Sequence, residues 1–469
     1  MSHPIRADFS QTYLMPPSLE DWVDADHPAR FIRDFVSSLD FSELGFVEAD
    51  ARTGRPGYAV DLLLSVWLYG YMHRIRSTRE LERACREHIS LLWLTGNQAP
   101  DHNTLWRFWR KNRRGLRGIF RQVVGVAYSS GLIGLAVHAV DGTKIRACSS
   151  KRSAWRKKEL SALLRRAEAS IDAMMAEVDS REGTESGDYR LPAKLVDAKR
   201  RRAEIRSALD QLAEIDRAHQ HPQEPDARMI KGGGGIDLQY NAQVMVDRES
   251  NLIMSETVVN DEIDNTLLVE MVQRTEATVG AVADETVADG GYYSPNELAK
   301  AEECGIAVLV PVKESTRSPG PFHKSQFTYD EERDEYVCPL GKRLGYWRTR
   351  TNSHGKYQVR VYRRRNARDC PQRWDCSPQK KGRTILRGEH EAAVQRQRRK
   401  QRAPTKQEIL RSRKAIVEVV FAQIKEQMQF RRFTVRHLEN VRTQWSLLCS
   451  AFNLKKLYRR WLAGHIAFS

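Results

Sequence analysis

Hydrophobic positions recur at helical spacing at both ends of this chain and alternate between strand-like and helical runs in its middle. Residues 1–121 read as helical. Val60–Met72 is an apolar, aromatic stretch long enough for a buried helix. Ser77-Thr78-Arg79-Glu80 has the form of a capping box and predicts a helix through Arg86. Pro100-Asp101 starts another, with Asp101 as its cap and Leu105, Trp106 and Trp109 as an apolar stripe. Arg107, Arg110 and Lys111 lie on that helix, and Arg113, Arg114 and Arg117 follow it. Short helices ending in a basic one suit a helix-turn-helix-like DNA binder. They equally suit a helical domain with a solvated basic face.

Leu135–Arg146 predicts a strand ending at a turn, with Val137, Ala139 and Asp141 on one face. Trp155–Val178 and Leu195–Ala218 are charged and helix-favouring, and Gly183–Pro192 breaks them, so the pair resembles an inserted helical hairpin. Gly232–Gly235 reads as a flexible re-entry. Asn241–Val246 and Leu252–Val259 form a strand hairpin through Asp247–Asn251. Leu267–Val279 fits a helix, and Thr286–Ala288 a short strand running into Asp289-Gly290-Gly291-Tyr292. Ser294-Pro295-Asn296-Glu297 marks a helix start, and Ala307–Val312 is a further buried strand. Phe327–Arg365 turns β-like, Gln407–Met428 is an amphipathic helix, and Val441–Tyr458 is a last helix rich in Leu and aromatics. Strands alternating with helices after one hairpin make an α/β core with a mixed sheet. The expected division is a helical domain over 1–121, a core in three pieces (122–150, 229–313, 405–469), a helical insert over 151–228 and a basic β-rich insert over 314–404.

Charge sharpens this outline. The chain carries a net +17, and residues 342–460 hold 33 Lys and Arg against 8 Asp and Glu. Residues 61–121 form a smaller basic zone, with 12 basic and 5 acidic side chains. The stretch 122–341 is net acidic. Two basic zones joined by an acidic middle suggest a polyanion met at more than one place. Met1-Ser2-His3-Pro4 has no apolar run of the kind that opens a signal peptide. The longest uncharged run, Val123–Val140, breaks at Ser129-Ser130-Gly131 and reads as helix, turn and strand rather than a membrane span. Seven scattered Cys argue for a reducing cytoplasm and against a disulfide framework.

Three acids stand out. Asp141 and Asp289 each end an apolar strand beside Gly, which presents a carboxylate at the sheet's edge. Glu418 sits inside Ile416-Val417-Glu418-Val419-Val420, where an unpaired buried charge would cost roughly 3–5 kcal/mol. At 100° per residue, Leu410, Val417, Phe421, Ile424 and Met428 make one apolar stripe. Arg411, Lys414, Glu418 and Lys425 fall on its neighbour, which sets Glu418 at the border of the buried face. A carboxylate for metal with cations for phosphate suits phosphoryl transfer. A solvated i, i+4 Lys414–Glu418 pair fits the same pattern.

Taken together, Val140-Asp141-Gly142-Thr143-Lys144, Tyr240-Asn241-Ala242-Gln243, Ala288-Asp289-Gly290-Gly291-Tyr292 and Arg413-Lys414-Ala415-Ile416-Val417-Glu418, with Phe421 and Lys425, resemble the DDE-type transposases of bacterial insertion sequences. Glu82-Arg83-Ala84-Cys85-Arg86 and Pro100-Asp101-His102 also look like that family's helical domain. The resemblance covers roughly 20–460. It implies an RNase H-like mixed sheet flanked by helices, in which Asp141, Asp289 and Glu418 bind two Mg²⁺ or Mn²⁺ ions. It further implies double-stranded DNA as partner, in the form of terminal inverted repeats and target. The implied reaction is strand cleavage followed by attack of the freed 3′-OH, expected of a homodimer in the active complex, in the cytoplasm at the nucleoid and with no membrane. Lys414 and Lys425 stand where family members contact phosphates. Arg411 replaces a Tyr typical of one related group, and Arg413, Arg107, Arg110 and Lys111 complete the expected DNA contacts.

Similar transposases often carry a zinc-ribbon-like cysteine cluster before the last acid. Here Ala367 takes the place of one Cys, leaving Cys338, Cys370 and Cys376, whereas structural zinc wants four ligands. His354 and His390 have no matching spacing. The expectation is therefore a vestigial cluster packed as small hydrophobes rather than a zinc site, and the other four, Cys85, Cys148, Cys304 and Cys449, are expected in the core. Two other readings keep the same fold: a metal-dependent nuclease without strand transfer, and a non-catalytic, domesticated DNA-binding protein.

Overall fold

The computed structural model describes residues 18–48, 56–181, 193–214, 219–232, 235–312, 320–351, 358–364, 366, 370–377 and 382–468. It is a mixed α/β molecule. Six helices come first: α1 (Pro28–Ser37), α2 (Val60–Met72), α3 (Thr78–Glu87), α4 (Ile89–Leu94), α5 (His102–Lys111) and α6 (Arg113–Ser129). Local chemistry fixes their starts. His27 Nδ1 accepts the Ala29 N–H before α1, which has Pro28 at its first position. Asp101 Oδ1 accepts the N–H groups of Asn103 and Thr104 at 2.8 and 2.9 Å and caps α5. The capping box expected at Ser77 is not made. Ser77 is the N-cap of α3, but its side chain bonds no helix N–H and lines an open cavity instead.

The main sheet follows. Its strands are β1 (Val137–Arg146), β4 (Arg228–Gly232), β5 (Gly235–Asp247), β6 (Ile253–Val259), β7 (Glu285–Val287) and β8 (Val308–Leu309). Between β1 and β4 lie β2 (Trp155–Arg156), the helices α7 (Lys157–Arg181) and α8 (Ala193–Glu214), and β3 (His219–Gln220). The helical hairpin is thus an insert closed at its base by the β2–β3 pair, and the Gly183–Pro192 break lies outside the described residues. Gly232–Gly235 is not a loose re-entry. β4 and β5 pair antiparallel up to Gly232 opposite Gly235. β4 carries one buried apolar residue, Ile230, too weak a pattern to announce a strand. The sheet order is β4-β5-β1-β7-β8, with β6 also on β5. β1 runs antiparallel to β5 and parallel to β7, so the sheet is mixed. Helices α9 (Leu268–Val279) and α10 (Pro295–Glu303) make the crossovers around β7.

The basic insert is a five-stranded antiparallel sheet of β9 (Thr328–Asp330), β10 (Glu335–Val337), β11 (Arg343–Thr351), β12 (Gln358–Arg363) and β13 (Thr384–Gly388). It has a small core of its own, Phe327, Tyr336, Leu344, Tyr362 and Ile385. The short helix α11 (Arg373–Cys376) sits before β13, and α12 (Glu391–Gln401) leads out of the sheet. α12 lies in a stretch expected to be β-rich. Its Gln397 and Gln401 bond the backbone around Val310 and Val312, so tertiary contacts rather than an apolar stripe hold it. α13 (Pro404–Ala422) continues as a π-helical turn, Gln423–Gln427, before α14 (Leu438–Leu462).

One hydrophobic core runs from α1, α2 and α6 through the sheet to α13 and α14. The N-terminal helices therefore share the sheet's core. α14 is the keel of this core. Trp445 is fully buried and donates its indole N–H to the Gln243 carbonyl, and Asn453 bonds both the N–H and the C=O of Ile253. Cys85 and Cys449 are buried as expected. Cys148 is only half-buried, and Cys304 is exposed because it caps the C-terminus of α10 just before the left-handed turn at Gly305.

Burial also displaces the titration of Glu256. It pushes the Glu256 carboxyl on β6 up to about 7, against a hydrogen bond from Ser446 and the charges of Arg274, Arg117 and Arg442. The folded chain then holds this proton to higher pH than the unfolded chain, whose value is about 4.3. That contribution to stability is complete below about 4.3 and is lost as pH rises through 7. Glu256→Gln is expected to reduce the fall in unfolding free energy between pH 5 and pH 8 by on the order of 2 kcal/mol, read from urea denaturation. An identical fall in both proteins would place the effect elsewhere.

Candidate active site

Backbone pairing brings the two aspartates together. Val137, His138 and Ala139 of β1 lie beside Glu285, Thr286 and Val287 of β7 in parallel register. Carried on by two residues, that register sets Asp141 opposite Asp289. Each aspartate is locked by its own turn. Asp141 Oδ1 accepts the Gly142 N–H, and Asp289 Oδ1 accepts the Gly291 N–H, both at 2.8 Å. The glycines are required by space. A Cβ on Gly142 would stand 2.2 Å from Gln243 Nε2, and one on Gly291 would stand 2.9 Å from Asp289 Oδ1.

Asp141 and Thr143 share the sheet face on which α13 packs. Arg413 of α13 is buried and donates to Asp141 Oδ2 at 2.8 Å. Lys425, in the π-helical turn, donates to Thr143 Oγ1 at 2.5 Å. The π turn carries Lys425 off the unbroken α stripe that the periodicity predicts. Such turns are frequent at functional sites. Burial raises the Asp141 carboxyl above the usual carboxylate range, the Arg413 hydrogen bond and charge oppose that, and Asp289 adds repulsion. Burial likewise lowers the Lys425 ammonium, with Arg431 adding to it and Asp141 opposing it.

The opposite face of β1 holds a polar brace that sequence reading left without a role. Gln243 Nε2 donates to Asn241 Oδ1 and Asp264 Oδ1 at 2.8 and 2.7 Å, and Asn241 Nδ2 donates to Asp264 Oδ1. Tyr292 is buried and donates its hydroxyl to Gln243 Oε1. The brace therefore anchors the turn that carries Asp289. Two fully buried amides inside an apolar strand were its signal. Asp264, in the loop after β6, had none.

Glu418 stands apart. Its side chain is exposed on α13, so the desolvation cost expected from its apolar neighbours does not arise. Val419 beside it is also 44% exposed. It makes no hydrogen bond or ion pair among the described residues, the Lys414 pair included. Among the described residues no three of His, Cys, Asp and Glu are gathered as a metal-holding group. The two aspartates fit a divalent cation, as paired carboxylates of which one already takes a guanidinium as counter-charge. The third acid is not assembled with them.

The expected DNA contacts divide by exposure. Arg107, Arg110 and Lys111 on α5 are exposed, with Lys111 donating to the Glu48 carbonyl, as are Arg411 and Lys414 on α13. Arg413 and Lys425 face the aspartate site. Cys338, Cys370 and Cys376 line one cavity of about 50 Å³ with Lys342, Arg364 and Arg383 around it. His354 lies outside the described residues.

Residues 337–458, which include Glu418 and Lys425, match the family described as a transposase DDE domain. Residues 17–111 match the family described as a transposase domain (DUF772). The two matches support an insertion-sequence DDE transposase. Asp141 and Asp289 lie outside both matched stretches. No curated protein and no solved structure matches the chain. Transposases act on DNA, and DDE transposases generally use divalent metal ions. No described helix is long and apolar enough to cross a membrane.

Proposed function

We propose that this transposase binds the terminal inverted repeats of its element as double-stranded DNA, cuts the strand at each end, and joins the freed 3′-OH to target DNA. The observation that supports this reading is the parallel β1–β7 register, which runs toward Asp141 and Asp289, with Arg413 of α13 on Asp141 and Lys425 of the π turn on Thr143. A mixed sheet with one acid on β1, a second just past the end of the adjacent β7 and a third on the covering helix would suit an RNase H-like arrangement. Asp141, Asp289 and Glu418 would hold two Mg²⁺ or Mn²⁺ ions, with Glu418 joining the aspartates in the DNA-bound state. Such ions supply Lewis acidity to the scissile phosphate and lower the pKa of the attacking water.

The protein's own side chains do the rest. Arg413, which pairs with Asp141, would offer its guanidinium to a phosphate oxygen once a bound cation took its place on the carboxylate. Lys425, held at the mouth by Thr143, faces the same phosphate, where a cation offsets the charge spread over the transferring group. The Asn241–Gln243–Asp264–Tyr292 brace keeps the Asp289 turn in place. Arg107, Arg110 and Lys111 with Arg411 and Lys414 position the duplex through its backbone. Two ends must be handled together, so the active complex contains at least two copies.

Pre-cut ends test the joining step. Incubated with supercoiled plasmid and Mg²⁺ or Mn²⁺, the protein is expected to yield plasmid covalently linked to the end oligonucleotide. Nicked plasmid without linked product would make it a nuclease. No reaction on cut or uncut ends would make it a binding protein.

A further inference from the structure

A cavity of about 480 Å³ opens between the N-terminal helices and the segment leading into α14. It is remote from the aspartates: Cys148 on its wall lies beyond the far end of β1 from Asp141. Its apolar walls are Trp67, Trp106 and Trp109. Two helices begin at its rim in the same way. Arg76-Ser77 precedes α3, and Arg436-His437 precedes α14, and in neither case does the N-cap side chain bond a helix N–H. Asp226 takes the first N–H of α14, at 2.9 Å. The positive ends of both helices and two guanidiniums thus converge on one space.

Independent features point to an occupant. Trp67 and Trp109 are 2% and 1% exposed, and neither indole N–H finds an acceptor among the described residues. Arg76 Nε, at the same wall, is unpaired as well, while the Nη2 of the same guanidinium donates to the Met428 carbonyl. Unpaired buried donors are uncommon. His437 is held at φ 69° and ψ 135°, a conformation that otherwise suits Gly.

We propose that this cavity binds one nucleotide, its base against the accessible face of Trp106 and its phosphate between Arg76 and Arg436 at the two helix N-termini. The volume lies within the range of small-ligand sites and far exceeds that of a lone phosphate. Stacking on aromatic rings is tolerant of base identity. The nucleotide comes from a DNA strand or from solution, and both present the same chemistry. The site stands independently of the metal-site reading.

Calorimetric titration in EDTA tests it, using the full chain with dAMP, deoxyadenosine, inorganic phosphate and a 5′-phosphorylated single-stranded oligonucleotide. Saturable dAMP binding is expected, at least tenfold tighter than deoxyadenosine or phosphate. Arg436→Gln, at an exposed position, and Trp106→Leu, at a half-buried one, should each weaken it at least tenfold while the thermal midpoint stays put. An oligonucleotide at least tenfold tighter than dAMP assigns the site to a DNA strand, and equal affinities assign it to free nucleotide. The proposal is overturned if neither probe binds saturably up to about 5 mM, if phosphate matches dAMP, or if both variants bind as the parent does.

Discussion

Asp289→Asn is expected to leave end binding within about twofold and to slow cleavage and joining by at least about 10³-fold, or roughly 4 kcal/mol of transition-state stabilisation. The substitution is nearly isosteric. The amide oxygen can keep the bond from the Gly291 N–H, so the turn and its Tyr292 anchor stay in place. What is lost is one of two negative charges that β1 and β7 set side by side. A divalent ion held by that pair loses half of its fixed charge. Electrophoretic shift of a labelled inverted-repeat duplex measures binding, and single-turnover cleavage of the same duplex measures chemistry. Strand transfer at the parent rate would remove Asp289 from the site. Loss of binding and chemistry together would make it a folding residue.

The second large effect is on affinity. Between 50 and 200 mM salt, binding to the ends is expected to weaken by about 10³-fold or more, as for a protein that neutralises six to ten phosphates. The exposed cations lie on two separate elements, with Arg107, Arg110 and Lys111 on α5 and Arg411 and Lys414 on α13. Removing Arg107 and Arg110 together should reduce the slope of log affinity against log salt by about two and weaken all sequences alike. An affinity indifferent to salt would contradict the DNA reading as a whole.

Much of this was legible in the sequence, for identifiable reasons. β1, β5 and β6 announced themselves because they are buried and apolar, and the Asp-Gly step at Asp141 because close packing against Gln243 forbids a side chain after the acid. The helices α2, α5 and α10 followed from apolar length, from the Asp101 cap and from Ser294-Pro295. What stayed hidden depends on distance in space. Nothing local in Arg413 says that its guanidinium is buried against a residue 272 positions away. The π turn at Gln423–Gln427 has the same composition as a continuous helix. β4 and α12 are held by partners rather than by their own apolar pattern. The exposure of Glu418 runs against its apolar neighbours, because α13 buries Ile416, Val417 and Val420 and turns the intervening positions outward.

That exposure also makes Glu418 the decisive residue. In the proposed function it completes one metal site with Asp141 and Asp289 when DNA is bound. Mn²⁺ binding, counted by electron paramagnetic resonance on the parent protein and on Asp141→Asn, Asp289→Asn and Glu418→Gln, each with cut-end duplex, tests this directly. Two ions per chain are expected in the parent and loss of at least one in each variant, with Glu418→Gln losing its ion only in the presence of DNA. Two ions retained by Glu418→Gln on DNA would contradict it.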